Sequence, residues 1–203
     1  NLLAIELSDL GDIFTGFGSD EIAEITGHYD VEEDDYEPEP PEEPRSKYGQ
    51  VYKLGDHRLI CGDATKAEDM AKLMDGLQAD AVVTDPPYNV NYEGGTADKL
   101  TIQNDNQSND DFRKFLIDSF KAADSVLKAG GAFYIWHADN SEGLNFRSAC
   151  FDVGWHIRQN LIWVKSSLIL GRQDYQWRHE TCLYGWKDGA AHYFINDRTQ
   201  DTV

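Results

Sequence analysis

Basic side chains, cysteines and long apolar runs are all scarce in this 203-residue sequence. Its 18 Lys and Arg residues face 37 Asp and Glu residues, and the formal net charge of −19 argues against nonspecific binding to nucleic-acid phosphates. Three widely spaced cysteines fit neither a disulfide framework nor a zinc site, and they favour a reducing cytoplasm. No apolar run approaches the roughly 20 residues that a membrane-spanning helix needs.

The acidic residues are unevenly distributed, and they divide the sequence into three parts. Residues 1–27 hold one short helical pattern, over residues 19–26, and we interpret them as the tail of an upstream domain. Residues 28–46 hold nine acidic side chains among four prolines, which predicts an extended linker because such a segment repels itself and lacks apolar groups. Residues 47–203 carry the hydrophobic patterns of a folded domain.

Strand patterns alternate with helical patterns in this third part, which predicts an α/β fold with a parallel sheet. A hairpin is predicted over residues 50–61. Helices are predicted over residues 66–74, 108–127 and 141–151, and the second of them is expected to begin at a capping Ser108 and to end at the Gly130-Gly131 pair. Further strands are predicted over residues 81–84, 132–136, 157–164, 180–186 and 193–195.

The strand over residues 81–84 stops at the sequence Asp85-Pro86-Pro87-Tyr88. Prolines lack the N–H that a central strand needs, so the strand must end where the polar residues begin. Ligands bind at the carboxyl ends of the strands in an open α/β sheet. These four residues therefore predict a binding site with an oxygen acceptor, a stiff backbone and an aromatic ring.

One chemistry fits these groups particularly well. The exocyclic amine of a nucleobase is a poor nucleophile, because its lone pair is delocalised into the ring. The Asp85 carboxylate and the Pro86 carbonyl could accept hydrogen bonds from its two N–H groups and draw the nitrogen toward a pyramidal geometry. Tyr88 could stack on a base extruded from the DNA helix. The alternative is a plain proline turn in which Asp85 only caps a helix.

The motif resembles the catalytic motif of the amino-group DNA methyltransferases, which use S-adenosylmethionine to methylate adenine N6 or cytosine N4. Asp-Pro-Pro-Tyr is typical of adenine N6 enzymes, whereas Ser in the first position is typical of cytosine N4 enzymes. The resemblance runs from Gly49 to the end of the chain and indicates the permuted class, in which the catalytic motif precedes the glycine motif of the cofactor site. It implies a Rossmann-like sheet with helices on both faces, double-stranded DNA as partner, no metal, and catalytic roles for Asp85, Pro86, Pro87 and Tyr88.

The resemblance also implies cofactor contacts. Asp63 follows a strand and precedes a helix, where related enzymes bind the adenine of S-adenosylmethionine. Its carboxylate would accept a hydrogen bond from the N6 amine of that adenine, and the Ala64 amide would donate one to a ring nitrogen. Asp85 would border the same cofactor. The alternative for Asp63 or Thr65 is a helix N-cap. Two further stretches, residues 161–165 and 178–186, resemble the family, and His179 and Glu180 either border the target-base pocket or pair with Arg178 on the surface.

A glycine-rich strand–turn–helix for the methionine part of the cofactor is missing from Gly49 onward. We therefore expect an incomplete sheet, a catalytic fragment without most of its cofactor site, and an uncovered sheet edge that favours association, for example as a homodimer. Residues 89–106 are interpreted as a lid over the target base or as a plain loop. Two rival functions stay open: a cytosine N4 methyltransferase, and a non-catalytic module that binds DNA or protein.

Overall fold

A computed structural model describes residues 43–92, 101–170 and 174–203. The chain divides into two units, residues 1–45 and 46–203, and the fold below is that of the second unit. The helix predicted over residues 19–26 and nearly all of the acidic linker lie outside the described residues. The three-part division of the chain therefore stays a prediction.

The second unit begins with the predicted antiparallel hairpin, formed by β1 (Val51–Leu54) and β2 (His57–Ile60). The predicted helix follows as α1 (Ala67–Met74). Arg58 ties the hairpin to the end of this helix, because its Nε donates to the Leu73 carbonyl at 2.6 Å and its guanidinium pairs with Asp75 at 3.1 Å. Both elements follow from local patterns, and both predictions are confirmed.

The remaining elements are β3 (Ala79–Thr84), α2 (Asn109–Val126), β4 (Leu127–His137), α3 (Gly143–Asp152), β5 (His156–Ile169) and β6 (Trp177–Trp186). The four strands form the central sheet in the order β3-β4-β6-β5. Strand β3 pairs with β4 in parallel, and the connection between them contains the helix α2, which makes a βαβ unit. Strand β6 pairs antiparallel with both β4 and β5. The predicted α/β class is confirmed.

The predicted parallel sheet is confirmed for the pair β3 and β4, but it was wrong for β6, which runs antiparallel to both of its neighbours. A parallel pair needs a crossover of a dozen or more residues, and only residues 170–176 separate β5 from β6. The prediction that Gly130-Gly131 ends α2 was also wrong, because both glycines lie inside β4. A Cβ atom on Gly130 would lie 2.4 Å from the Ala191 carbonyl oxygen, so the glycine permits a close backbone approach there. Residues 193–195 form no strand and are exposed.

Helix α2 begins at the predicted cap. The Ser108 hydroxyl accepts from the Asp111 amide at 3.2 Å and donates to the Asp111 carboxylate at 2.7 Å. The buried side chains of α2 recur at helical spacing, and they pack together with α3 on one face of the sheet. The core formed there consists of Phe112, Leu116, Phe120, Leu127, Phe133, Ile135, Phe146, Ala149, Cys150, Trp155 and Leu183.

The opposite face of the sheet is aromatic and only partly covered. Tyr134 and Tyr184 lie side by side there with ring centroids 5.0 Å apart, and Val83 on β3 is 71% exposed. Helices on both faces were expected, and among the described residues this is confirmed for one face. Within the same residues, no helix has both the length and the apolar character needed to cross a bilayer.

Gly185, on the central strand β6, provides a test of the packing. A Cβ atom at this position would lie 2.4 Å from both the His156 carbonyl oxygen and the Phe133 ring. We expect Gly185→Ala to lower the free energy of unfolding by about 1–3 kcal/mol, because the core must shift to admit the methyl group. Urea unfolding measures the change. Ser166→Ala, at an exposed position of β5, is the control and should stay within about 0.5 kcal/mol; equal values for both variants would contradict the packing.

Candidate active site

A cavity of about 770 Å³ lies where β3 ends. This volume is in the range of pockets that bind small ligands. Its wall contains the entire motif Asp85–Tyr88, the rings of Trp136 and Trp163, and the carboxyl-bearing residues Asp105 and Glu180. The structure therefore brings the four predicted catalytic residues together beside a space large enough for a base.

Asp85 and Tyr88 lie near each other in the wall of this cavity. Asp85 is exposed, whereas Tyr88 is half-buried. Burial, and then the nearby Asp85 carboxylate, raise the pKa of Tyr88 far above its usual value, so the phenol stays protonated. The half-buried Tyr88 ring also packs edge-to-face on Phe146, with centroids 6.0 Å apart. The core thus orients the ring that forms part of the cavity wall.

The backbone after the motif is held in an unusual conformation. Asn89 and Asn91 have φ angles of 60° and 53°, a left-handed region that asparagine tolerates better than most residues. The Asn89 side chain accepts from the Gln107 amide at 2.6 Å and donates to the Gln107 carbonyl at 3.1 Å. The segment predicted as a lid or a plain loop is therefore anchored at both of its described ends, while residues 93–100 lie outside the described residues.

Two tryptophans and an ion pair form another side of the cavity. Trp136 and Trp163 meet edge-to-face with centroids 6.0 Å apart. Glu180 pairs with Lys165 at 2.5 Å, so the alternative of a pair with Arg178 was wrong. Glu180 lines the cavity as expected, whereas His179 is absent from its wall and pairs with Asp139 at 3.4 Å. Sequence reasoning missed Trp136 and Trp163, because residue spacing does not reveal which face of the sheet borders a cavity. It also missed Asp105, whose partners are backbone amides 13–15 residues earlier in the chain.

Asp63 and Ala64 do not belong to the wall of this cavity. The Asp63 Oδ1 atom accepts from the Thr65 amide at 2.9 Å and from the Thr65 hydroxyl at 2.7 Å, and these bonds lower the pKa of Asp63. The residue therefore stabilises its own turn. The N-cap alternative was wrong, since Lys66 occupies the cap of α1 without a side-chain cap bond. The predicted cofactor contacts of Asp63 and Ala64 stay predictions.

Comparisons with known proteins agree with the motif. The family model N6_N4_Mtase, described as DNA methylase, matches residues 79–203. The type II methyltransferase M.HpaI of Haemophilus parainfluenzae is 28% identical over 143 residues, which are 70% of this chain and 43% of that protein, so the chain spans less than half of this curated relative.

Two crystal structures resemble the chain in part. The M1.HpyAVI–SAM complex has a TM-score of 0.47 and 16% identity, with 68% of this chain and 60% of that chain covered. The structure of M1.HpyAVI has a TM-score of 0.46 and 19% identity, with 70% and 60% covered. Because the family model matches more than half of the chain, this chain belongs to the N6/N4 DNA methylase family.

Proposed function

We propose that the protein to which this chain belongs transfers a methyl group from S-adenosylmethionine to the N6 amine of a flipped adenine in double-stranded DNA. The observation that carries the proposal is the exposed Asp85 carboxylate, which lies with Tyr88 in the wall of a cavity large enough for a base. Family membership supports the reaction class. The Asp-Pro-Pro-Tyr form of the motif favours adenine over cytosine.

The residues of the motif have distinct roles in this mechanism. The Asp85 carboxylate and the Pro86 carbonyl accept hydrogen bonds from the two N–H groups of the target amine. These hydrogen bonds localise the nitrogen lone pair and direct it out of the plane of the base. Pro87 restricts the backbone between these acceptors and the ring. Tyr88 stacks on the extruded base, and its edge-to-face packing on Phe146 orients the ring in the cavity wall. Orientation of the reacting atoms then supplies much of the rate enhancement.

The residues proposed to hold the cofactor have suitable donors and acceptors. Bound S-adenosylmethionine supplies an electrophilic methyl group. Both hydrogen bonds from Thr65 end on Asp63 Oδ1, and the neighbouring Ala64 is exposed, so Oδ2 and the Ala64 amide suit the amine and ring nitrogen of an adenine moiety. Asp85, at the cavity wall, is the third proposed contact.

The charge distribution is compatible with DNA as the partner. Residues 46–203 carry 22 acidic and 17 basic side chains, a net charge of −5, so most of the negative charge belongs to residues 1–45. Lys165 brings a cation to the cavity through its pair with Glu180. The unit that contains the candidate site is thus far less repulsive to phosphates than the total charge suggests.

Nucleoside mass spectrometry tests the proposed reaction. DNA from cells that express the full-length protein is digested to nucleosides and compared with DNA from cells that express an Asp85→Ala variant. We expect N6-methyladenine in the first sample alone. N4-methylcytosine instead would favour the cytosine enzyme, and no modified base in either sample would favour the non-catalytic module.

A cytoplasmic location and a homodimeric state also remain proposals. Cys150 and Cys182 are buried free thiols and Cys61 is partly buried, which suits a reducing compartment. Among the described residues, β3 pairs with β4 alone, and the exposed Val83 lies on that strand. Sedimentation of the full-length protein would measure whether it forms a homodimer.

A further inference from the structure

Asp105 is a buried acidic residue that the mechanism above does not use. It lies just before α2, is 2% exposed and contributes to the cavity wall. One carboxylate oxygen accepts from the Tyr92 amide at 2.6 Å, and the other accepts from the Val90 amide at 3.3 Å. Its backbone carbonyl accepts from the Asn91 amide at 2.7 Å. Three successive amides after the motif therefore bind this single residue.

The backbone conformation explains why these amides converge. Left-handed residues at Asn89 and Asn91 flank Val90, and such an alternation of backbone conformation forms an anion-binding concavity of N–H groups. We call the concavity formed by residues 89–92 the amide nest. The Asp105 carboxylate fills the nest, and the bonds between Asn89 and Gln107 hold the same two segments together.

The nest and the carboxylate depend on each other. A buried carboxylate is costly unless N–H donors replace its water, and the Val90 and Tyr92 amides provide that replacement. In turn, the Val90 and Tyr92 amides lose their acceptors if the carboxylate is removed. The position of this backbone, which continues directly from Tyr88, is therefore coupled to Asp105.

We propose that Asp105 is a positioning residue for the motif: by filling the amide nest it fixes the backbone that follows Tyr88, and so the placement of the Tyr88 ring in the cavity wall. Both oxygens of Asp105 are occupied by amides, so it acts through the motif and not on the base. This inference rests on the proposed function for its effect on turnover. The nest itself can be tested independently of any activity.

The variant Asp105→Asn in the full-length protein tests the proposal. Asparagine has the same shape but a single acceptor oxygen, so one backbone amide faces an NH₂ group. We expect hydrogen exchange at the Val90 and Tyr92 amides to quicken by about 10-fold or more, and kcat to fall about 10- to 100-fold with KM for the cofactor nearly unchanged. Asp110→Asn is the control, because it removes one negative charge in the same way at an exposed position in the first turn of α2. It should alter neither the exchange rates nor kcat.

The outcomes separate this inference from the proposed function. Unchanged exchange at Val90 and Tyr92, or faster exchange with unchanged kcat, would overturn the positioning role. A third outcome is that the wild-type protein methylates no DNA while the Asp105→Asn variant shows faster hydrogen exchange at Val90 and Tyr92. The amide nest would then be supported, but the proposed function and the effect of Asp105 on turnover would both be refuted. Should Asp105→Asn not fold, Asn89→Gly keeps the left-handed backbone accessible but removes the bonds to Gln107, and it should quicken exchange at the Gln107 amide and lower kcat.

Discussion

Replacing Asp85 with alanine is expected to reduce the rate of methyl transfer by about 10³-fold. The side chain supplies one of the two acceptors that make the target amine nucleophilic, and removal of one such preorganised group costs about 10²–10³ in related cases of transition-state stabilisation. Because Asp85 is exposed, the variant should fold normally. The rate is measured from the transfer of a radiolabelled methyl group into DNA by the full-length protein.

Asp80 offers a matched control on the same strand. Its side chain is 84% exposed, and it pairs with Lys128 at the opposite end of β3. Asp80→Ala should retain the wild-type rate within about threefold, since a surface ion pair contributes little. If the Asp85 variant also kept the wild-type rate, the assignment of the acceptor would have to be abandoned.

Replacing Tyr88 should separate the role of its ring from the role of its hydroxyl. Tyr88→Ala removes the stacking surface, and stacking of an aromatic side chain on a base contributes about 1–3 kcal/mol, so kcat/KM for DNA should fall about 10- to 100-fold. Tyr88→Phe keeps the ring and its packing on Phe146 but removes the hydroxyl group near Asp85. We expect a loss of less than about 10-fold for phenylalanine.

Melting temperatures must accompany these kinetics. Tyr88 is half-buried, so the alanine variant also loses contacts with the core and should melt at a lower temperature than the phenylalanine variant. Rates are therefore measured well below both transitions. Equal losses of kcat/KM for alanine and phenylalanine would show that the hydroxyl, and not the ring, has the larger role.

Local sequence signals predicted those parts of the fold that depend on neighbours in the chain. The Gly55 turn of the hairpin, the Ser108 cap of α2 and the end of β3 at two prolines are all set within a few residues. The direction of β6 was missed, because it depends on pairing between strands and on the length of the connection between them. The glycines at residues 130–131 were misread for the same reason: the Ala191 carbonyl that approaches Gly130 is about 60 residues away in the chain.

The candidate site shows the same division. The motif from Asp85 to Tyr88 was predictable because its four residues are consecutive and follow an apolar strand. Asp105 was not, because its role depends on backbone amides 13–15 residues earlier whose conformation the sequence does not specify. The partner of Glu180 likewise depended on the pairing of β6 with β5. Trp163 lies opposite Glu180, and Lys165, two residues further along β5, comes within 2.5 Å of its carboxylate, although Arg178 is closer in sequence.

The most direct test of the account is a crystal structure of the full-length protein with its DNA and an unreactive analogue of the cofactor, from which the distance between the target amine and Asp85 is measured. We expect an extruded adenine in the cavity, with its N6 atom about 3 Å from both the Asp85 carboxylate and the Pro86 carbonyl oxygen, and with the Tyr88 ring stacked on the base. An amine bound outside hydrogen-bonding reach of Asp85, or a target base bound in a different part of the protein, would contradict the mechanism.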